Sequence, residues 1–484
     1  MALPAVELDP EVERFRFDAQ IGLTSLILVQ PVAGGSNRRP LDFEMGEAAR
    51  LVEGLGGGGY VVLPEQVTGR QQPKGPIFGK GTVKRIGDQV AAIRRATAAA
   101  YESGHASGHV VPQPAGTLLP PPPPPAAIFL NSTTVPVAER ARLESAWGLP
   151  IVDRYSVILQ IFRTRAATTE AQLQVALAEI PYLRQHVLAQ RGQKQRRRGG
   201  AGAGGGGDGQ TYAQRQRHVL QQREAAIRKK LAGVAAQRGQ VQRDRARSGV
   251  PVIALVGYTN AGKSAILKAV TQAADDVVDA PISEDRLFHT LDTAARGVRL
   301  PTGAEAVLLD TVGFISELPH QLVAAFRETL AEVLDATVIV HVRDASHPES
   351  EFQKTEVLRV LRDELGATPE QLDAIIEVHN KVDLLPPGEA RRPELAAGLP
   401  TCAPTGEGLD QLLAVVAARV AVLAGELTKE ITVPMAAAHQ INFLHKHAVV
   451  LGVQADPTGE ALTLACRIKP AALRRFEALV HRGG

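Results

Sequence analysis

Apolar and polar positions change period along this chain, and each change marks an element. TSLILVQPV (24–32) is a buried-strand pattern, with LILV at its centre. DFEMGEAARLVEGLGG (42–57) has helical spacing and closes on glycine, and GYVVLPE (59–65) reads as a second strand. The insert GHASGHVVPQPAGTLLPPPPPP (104–125) can form neither helix nor interior strand, so it reads as an exposed loop, with His105 and His109 as loop residues. IFLN (128–131), the helical PVAERARLESAWG (136–148) and the strand IVD (151–153) then resume the alternation. Residues 20–160 therefore predict an N-terminal α/β domain.

Two long helical patterns follow. Between Thr168 and Gln190, Leu173, Leu177, Ile180 and Val187 keep helical spacing, with Thr168 or Thr169 as the N-cap and Pro181 as a kink. From Tyr212 to Arg247, Leu220, Ile227, Leu231, Val234 and Val241 follow a heptad-like seam. RRRGGAGAGGGGDGQ (196–210) separates them as a flexible tip, so residues 161–248 predict an antiparallel helical hairpin. Its second helix, at roughly 35 residues, reaches roughly 50 Å. The alternative is two helices lying flat on a domain. The narrow seam and the Arg, Lys and Gln around it favour a coiled-coil arm.

Charge changes the picture at this point. Net charge is only +3, yet Arg184 to Arg247 holds 16 Lys or Arg against 3 Asp or Glu, and the rest of the chain holds 38 against 48. A solvated helix face is the plain interpretation. Contact with a polyanion is the sharper one, and the local excess favours nucleic acid. The 484 residues predict two to four domains, and aromatics at 4% leave few base-stacking platforms. Cys402 and Cys466 make no disulfide framework and suit a reducing compartment. No apolar run is long enough to span a bilayer. MALPAVELDPEVERF is acidic and reads as neither signal nor transit peptide, so the expectation is a soluble, cytoplasmic protein.

The chemistry is concentrated in 249–425, which predicts a P-loop domain. PVIALVGYTNAGKSAILKAV is a strand, a glycine loop and a helix, and Gly257, Tyr258, Thr259, Asn260, Ala261, Gly262, Lys263 and Ser264 fit GxxxxGK[ST] in that context. Backbone amides there cradle phosphates, Lys263 reaches the β- and γ-phosphates, and the Ser264 hydroxyl ligates Mg²⁺. FHTLD follows as a switch segment: Phe288, His289, Thr290, Leu291 and Asp292, with Thr290 as the second hydroxyl on the metal and Thr293 as the competing assignment. Asp310, Thr311, Val312 and Gly313 form DxxG after the strand AVLLD. Asp310 is expected to hold Mg²⁺ through water, and the Gly313 amide to bond the γ-phosphate. The next residue is Phe314, where the Ras type has a glutamine that orients the attacking water. A phenyl ring cannot do that.

Asn380, Lys381, Val382 and Asp383 read as NKVD after the strand AIIEVH. The Asp383 carboxylate can accept from both N1–H and the 2-amino group of guanine, a pair that adenine lacks, and Lys381 is expected along the base plane. In TCAPTGEG, Cys402 and Ala403 stand where Ser-Ala is usual, and the Ala403 amide is expected at guanine O6. After Gly425, EITVPM, INFLHKHAVV, ALTLACRI and PAALRRFEALV predict a small C-terminal α/β module, 426–484. His445 and His447 are two apart, which on a helix puts them on different faces, as surface residues rather than ligands.

GYTNAGKS, LFHTLDTAARG, DTVGFISELPHQLVAAFRETL, HVRDASHPE and HNKVDLL together resemble the HflX family of GTPases. IVDRYSVILQIFRTRAATTEAQLQVALAEIPYL is similar to the family's helical segment, and HVRDASHPESEFQK looks most like its eukaryotic, mitochondrial branch. The resemblance implies a ribosome-binding GTPase that splits stalled or post-termination ribosomes or acts in large-subunit maturation. It also implies contact of its N-terminal and helical regions with ribosomal RNA, monomeric action, and a mitochondrial matrix location if a transit peptide is missing from this chain. Departures are the tip GGAGAGGGGDGQTYAQ (199–214) in place of an acidic GxGE-type motif, and FGKGTVK (78–84) in place of a GKGK-like motif. Lys263, Thr290 and Gly313 are the expected catalytic groups. Asn260 stands where, in P-loop GTPases lacking the water-placing glutamine, an asparagine binds K⁺; the alternative is that it caps the loop. A non-catalytic, GTP-gated RNA-binding scaffold is the competing function, with Phe314 as its sign.

Overall fold

A computed structural model describes residues 26–32, 41–55, 60–63, 67–68, 76–103, 124–198, 208–248, 250–272, 294–316, 320–386, 398–425, 427–456, 460–468 and 470–483. Phe288, His289, Thr290, Leu291, Asp292 and Thr293 lie outside them, as does nearly all of the proline-rich insert. The chain divides into two compact units. The first holds the described residues of Met1–Gly239 and Ser316–Glu328; the second holds those of Gln240–Ser283, Thr293–Ile315 and Thr329–Gly484.

In the first unit, β1 (Leu26–Val29), β3 (Tyr60–Val62), β5 (Ala127–Leu130) and β6 (Ile151–Asp153) form a parallel sheet in the order β3-β1-β5-β6, while β2 (Pro31–Val32) pairs in parallel with β4 (Val67–Thr68). The chain leaves β1 for one side, returns, and continues on the other, so β1 and β5 flank a topological switch point. LILV and AIFL are buried throughout, as central strands covered on both faces must be. Ile27, Val29, Ile128 and Leu130 pack with Phe78, Ile86, Leu143 and Trp147. The Trp147 indole donates to Val83 O at 2.9 Å.

Asp153 ends β6 and caps the next helix, Arg154–Arg165, by a reciprocal capping box with Ser156. Its other oxygen takes Arg140 at 2.6 Å and the Val135 amide at 3.1 Å. The helices Thr169–Arg198 and Asp208–Ser248 pack through Leu173, Ile180, Leu183, Leu220 and Ile227, with Leu177 and Leu231 beside them. Thr168 is the N-cap: its hydroxyl accepts from the Ala171 amide at 3.2 Å. The first helix runs on through Pro181 to Arg198, eight residues past the expected end at Gln190. Arg, Lys and Gln are good helix formers and carry the helix on, with Gly192 inside it. Arg184 and Glu224 pair across the two helices.

In the second unit, β7 (Val252–Gly257), β8 (Ala294–Arg299), β9 (Glu305–Asp310), β10 (Val338–Asp344), β11 (Ile376–Asn380) and β12 (Leu399–Thr401) form one sheet in the order β12-β11-β10-β7-β9-β8. Only β8 runs antiparallel to its neighbour. Ile253, Leu255, Val340, Val342 and Val378 fill its core with Ile266, Leu412 and Val416 from the covering helices. The C-terminal residues form an antiparallel sheet in the order β13-β15-β14 from Leu427–Pro434, Ala448–Ala455 and Ala461–Ile468. Helices Ala438–His447 and Pro470–Gly483 cover it through Leu444, Leu473 and Phe476. His445 and His447 are exposed on the first of these. Among the described residues, no helix is long and apolar enough to cross a membrane.

Candidate nucleotide site

Strand β7 ends at Gly257, a helix starts at Lys263, and Tyr258 to Gly262 turn between them. Two residues make this turn feasible. Asn260 takes a left-handed φ of 64°, which asparagine tolerates better than most residues. Gly262 has φ of 98°, and a Cβ there would lie 2.1 Å from the Asn380 amide nitrogen. That nitrogen donates to Ala261 O at 2.9 Å, so strand β11 braces the loop from the side. Tyr258, Thr259 and Ala261 are buried.

The Lys263 ammonium is buried and donates to the carbonyls of Gly257 at 3.0 Å and Tyr258 at 2.9 Å. Burial pulls its pKa down to about 8, against the opposing pull of Asp310. Ser264 donates its hydroxyl to Asp310 Oδ2 at 2.6 Å, since the register of β7 with β9 sets Leu255 beside Asp310. A hydroxyl and a carboxylate this close are a hard oxygen pair, which suits Mg²⁺ with one direct and one water-mediated ligand. Thr311 ties the same strand end to Leu255 O at 2.7 Å. Val312 is buried beside it.

Gly313 and Phe314 lie along the phosphate loop. The Phe314 amide donates to Gly257 O at 3.1 Å, and the Thr259 amide to Phe314 O at 2.6 Å. A Cβ on Gly313 would meet Thr259 at 2.7 Å and the Lys263 ammonium at 3.2 Å. The Phe314 ring is 2% exposed, so it serves as packing.

Asn380 is buried and accepts on its oxygen from Thr401 at 3.3 Å and the Ala403 amide at 3.2 Å. The amide expected at guanine O6 is thus bonded to Asn380 in this structure. Cys402 is buried, and its amide donates to Glu407 O at 3.0 Å. Lys381 is left-handed at φ 65° and reaches Asp344 at 2.9 Å. Val382 and Asp383 follow in a 3₁₀ turn, with Asp383 exposed. Sequence reasoning passed over Asp344 and Thr401. The signal for Asp344 was its place at the end of β10, where parallel register sets it against Asn380. Behind the site, Arg343 pairs with Glu351 and Glu377, and Lys354 holds Glu377 at 2.6 Å.

A glycine loop between strand and helix, a lysine in the loop, a serine–aspartate pair and a base-side asparagine together make this a P-loop GTPase. Residues 252–381 match a family model described as "50S ribosome-binding GTPase", and 165–245 one described as "GTP-binding GTPase Middle Region". A protein of Mus musculus named for GTP binding, GTP-binding protein 6, is 34% identical over 93% of this chain and 80% of its own. A "GTPase HflX" of Caldanaerobacter subterraneus is 38% identical over 69% of this chain and 74% of its own, and one of Magnetococcus marinus is 36% identical over 73% and 79%. The chain belongs to the HflX family of GTPases. It is a GTP hydrolase, and the non-catalytic scaffold is not favoured.

Proposed function

We propose that this GTPase works on ribosomes: it associates with the large subunit through ribosomal RNA and is released by hydrolysis. Its task is splitting stalled or post-termination ribosomes, or maturing the large subunit. The observation that carries this reading is the basic helix pair, Thr169–Arg198 and Asp208–Ser248. Its packed seam is one narrow aliphatic line, while Arg215, Arg217, Arg228 and Lys229 stand exposed. Exposed cations on long helices are the electrostatic footprint of a nucleic-acid contact. The words "50S ribosome-binding" in the matched model's description point the same way. The protein acts as a monomer, in the cytoplasm or in the mitochondrial matrix.

Within the site, Lys263 and the Gly313 amide hold the γ-phosphate, and Asp383 reads guanine with Lys381 along the base. Ser264, Thr290 and, through water, Asp310 would hold Mg²⁺, which supplies charge neutralisation at the β- and γ-oxygens. Since the buried Phe314 ring places no water, intrinsic turnover is slow, and the ribosome supplies or orders the missing polar group. Asn260 has two readings. Its left-handed backbone supports a loop-shaping role, and its carboxamide oxygen supports K⁺ coordination.

One experiment addresses both. GTP turnover is measured with and without ribosomes, in matched KCl and NaCl, alongside sedimentation with isolated subunits in a non-hydrolysable GTP analogue. Stimulation by ribosomes and sedimentation with the large subunit are expected. Fast turnover unchanged by ribosomes overturns the reading, and equal rates in both salts leave Asn260 its shaping role alone.

A further inference from the structure

We propose that Asp344 is a positioning residue for guanine binding: it holds the Lys381 ammonium, so that the lysine stem lies fixed along the face of the base. The inference rests on the reading of Lys381 along the guanine base and deepens it. Asp344 Oδ2 lies 2.9 Å from Lys381 Nζ, with side chains 12% and 21% exposed. Asp344 Oδ1 accepts from the Ser346 amide at 3.0 Å and from the Ser346 hydroxyl at 2.6 Å. One oxygen thus closes a short turn after β10, and the other takes the lysine. An aspartate bonded to the amide two residues on is fixed by its own turn, whatever the lysine does.

The backbone brings the lysine to this carboxylate. Strands β10 and β11 run parallel with Asp344 beside Asn380, and the Ala345 amide donates to Asn380 O at 2.9 Å. Asn380 is buried, so the residue before Lys381 is anchored on β11. Lys381 itself has a left-handed φ of 65°. That conformation is uncommon for a residue with a Cβ, and lysine has no short polar group to bond its own backbone there. Strain of this kind gathers at ligand clamps. The turn Val382–Leu384 follows at once and carries Asp383. All of these residues belong to the second compact unit.

The ion pair makes chemical sense beside a guanine. The base is neutral and flat, and Asp383 addresses one edge of it. An edge contact alone leaves the ring free to tilt. The four-carbon stem of a lysine offers an apolar rail to a ring face while its charge stays paired. A loose stem samples many rotamers, and ordering it on a base costs affinity. A carboxylate that already holds its tip removes much of that cost before the nucleotide arrives. A pair with some access to water adds only modestly to stability, so its use lies in what it orients.

The test uses the full chain, with titration calorimetry of GDP, a non-hydrolysable GTP analogue and inosine diphosphate (IDP), and thermal unfolding alongside. Asp344→Asn keeps an acceptor for Ser346 and loses the charge that holds Lys381. GDP and the GTP analogue are expected to lose affinity by the same factor, about fivefold to tenfold, since they share the base. IDP lacks the 2-amino group assigned to Asp383, and the preference for GDP over IDP is expected to stay within about twofold of the parent's. In a Lys381→Met background, Asp344→Asn is expected to cost less than about twofold. A GDP affinity within about twofold of the parent for Asp344→Asn, beside a clear loss for Lys381→Met, overturns the proposal alone. If Lys381→Met itself leaves GDP affinity unchanged, the reading of Lys381 on the base fails and the proposal fails with it. A full Asp344→Asn loss that persists with Lys381→Met also overturns it. So does a collapse of the GDP-over-IDP preference, which assigns Asp344 to Asp383 instead. Should Asp344→Asn fail to fold, Ser346→Ala runs the same cycle. A loss of about threefold that vanishes with Lys381→Met supports the proposal, and no loss overturns it.

Discussion

In the six-stranded sheet the central strand β7 runs out into backbone: Gly257, a left-handed Asn260, and Gly262 pressed against Asn380. In the four-stranded sheet, β1 and β5 run out into Gln30 and Asn131, and beyond them Arg154 and Glu47 close on Ser316. In both, the strands concerned are parallel and carry polar groups at their carboxyl ends. The difference lies in what each leaves available. Backbone amides at a helix start attract an outside polyanion and need no counter-charge of their own. A guanidinium and a carboxylate that already neutralise each other attract no outside ion, and they orient a neutral peptide group instead. The first arrangement serves a ligand that comes and goes, and the second serves a segment that stays attached.

The sharpest way to break this comparison is to remove one charge from the second arrangement. Arg154→Met leaves Glu47 buried without its partner, and a loss of about 3–5 kcal/mol is expected in denaturant unfolding. The double change with Glu47→Leu is expected to regain much of that. A single-variant loss below about 1 kcal/mol would mean that the pair is held in water rather than buried.

The first arrangement should fail by geometry instead of charge. Gly262→Ala combines a backbone angle of 98° with a Cβ set 2.1 Å from Asn380. Strain of about 1–3 kcal/mol is expected to appear as a loss of GTP affinity of roughly tenfold to a hundredfold. Gly297→Ala, on β8 with nothing near its Cβ, serves as the control. Titration calorimetry separates the two.

Acid should distinguish the sheets too. His341, on β10, is buried, and burial depresses its pKa to about 3 from an ordinary 6.5; Arg343 and Lys354 push the same way and Glu377 opposes. Between those values the unfolded chain binds a proton that the folded one refuses, so stability falls as pH drops below 6.5 and levels off near 3. The slope is about 1.4 kcal/mol per pH unit from this group. His341→Gln is expected to flatten it in urea titrations between pH 6.5 and 5, and an unchanged slope would assign the acid sensitivity elsewhere.

The smallest effect tests the helix pair, which belongs to neither sheet. Thr168→Ala removes the cap on the Ala171 amide, for a loss of about 1 kcal/mol, with GTP affinity unchanged. Thermal unfolding reads the first and nucleotide binding the second.

Local pattern carried far in the second unit. A strand, glycine loop and helix in sequence order place Lys263 and Ser264 without any knowledge of the rest, because neighbours in the chain are neighbours in the loop. The buried run at 24–32 became Leu26–Val29 for the same reason. Pattern was weaker where a partner decides. Thr168 and Thr169 were equal candidates for the cap until one hydroxyl faced an amide. The Ala403 amide is bonded to Asn380, a neighbour that no local pattern names. Glu47 read as one polar position on a helix, with nothing to mark it as half of a buried ion pair.

The amino-acid sequence by itself determined the class of chemistry, that of a P-loop GTPase: a glycine loop closed by Lys263 and Ser264, an aspartate after a strand, the NKVD run, and a phenylalanine where the Ras type has a glutamine. These are contiguous, and their meaning lies in residue type and short spacing. Only the tertiary structure decided how Phe314 is held, with its backbone paired to Gly257 and Thr259 and its ring buried. Only the tertiary structure brought Glu47 and Arg154 to Ser316, across separations of 269 and 162 residues. Contacts at such distances are set by strand order and helix packing, the outcome of burying many apolar side chains at once, and no local window of sequence contains that information.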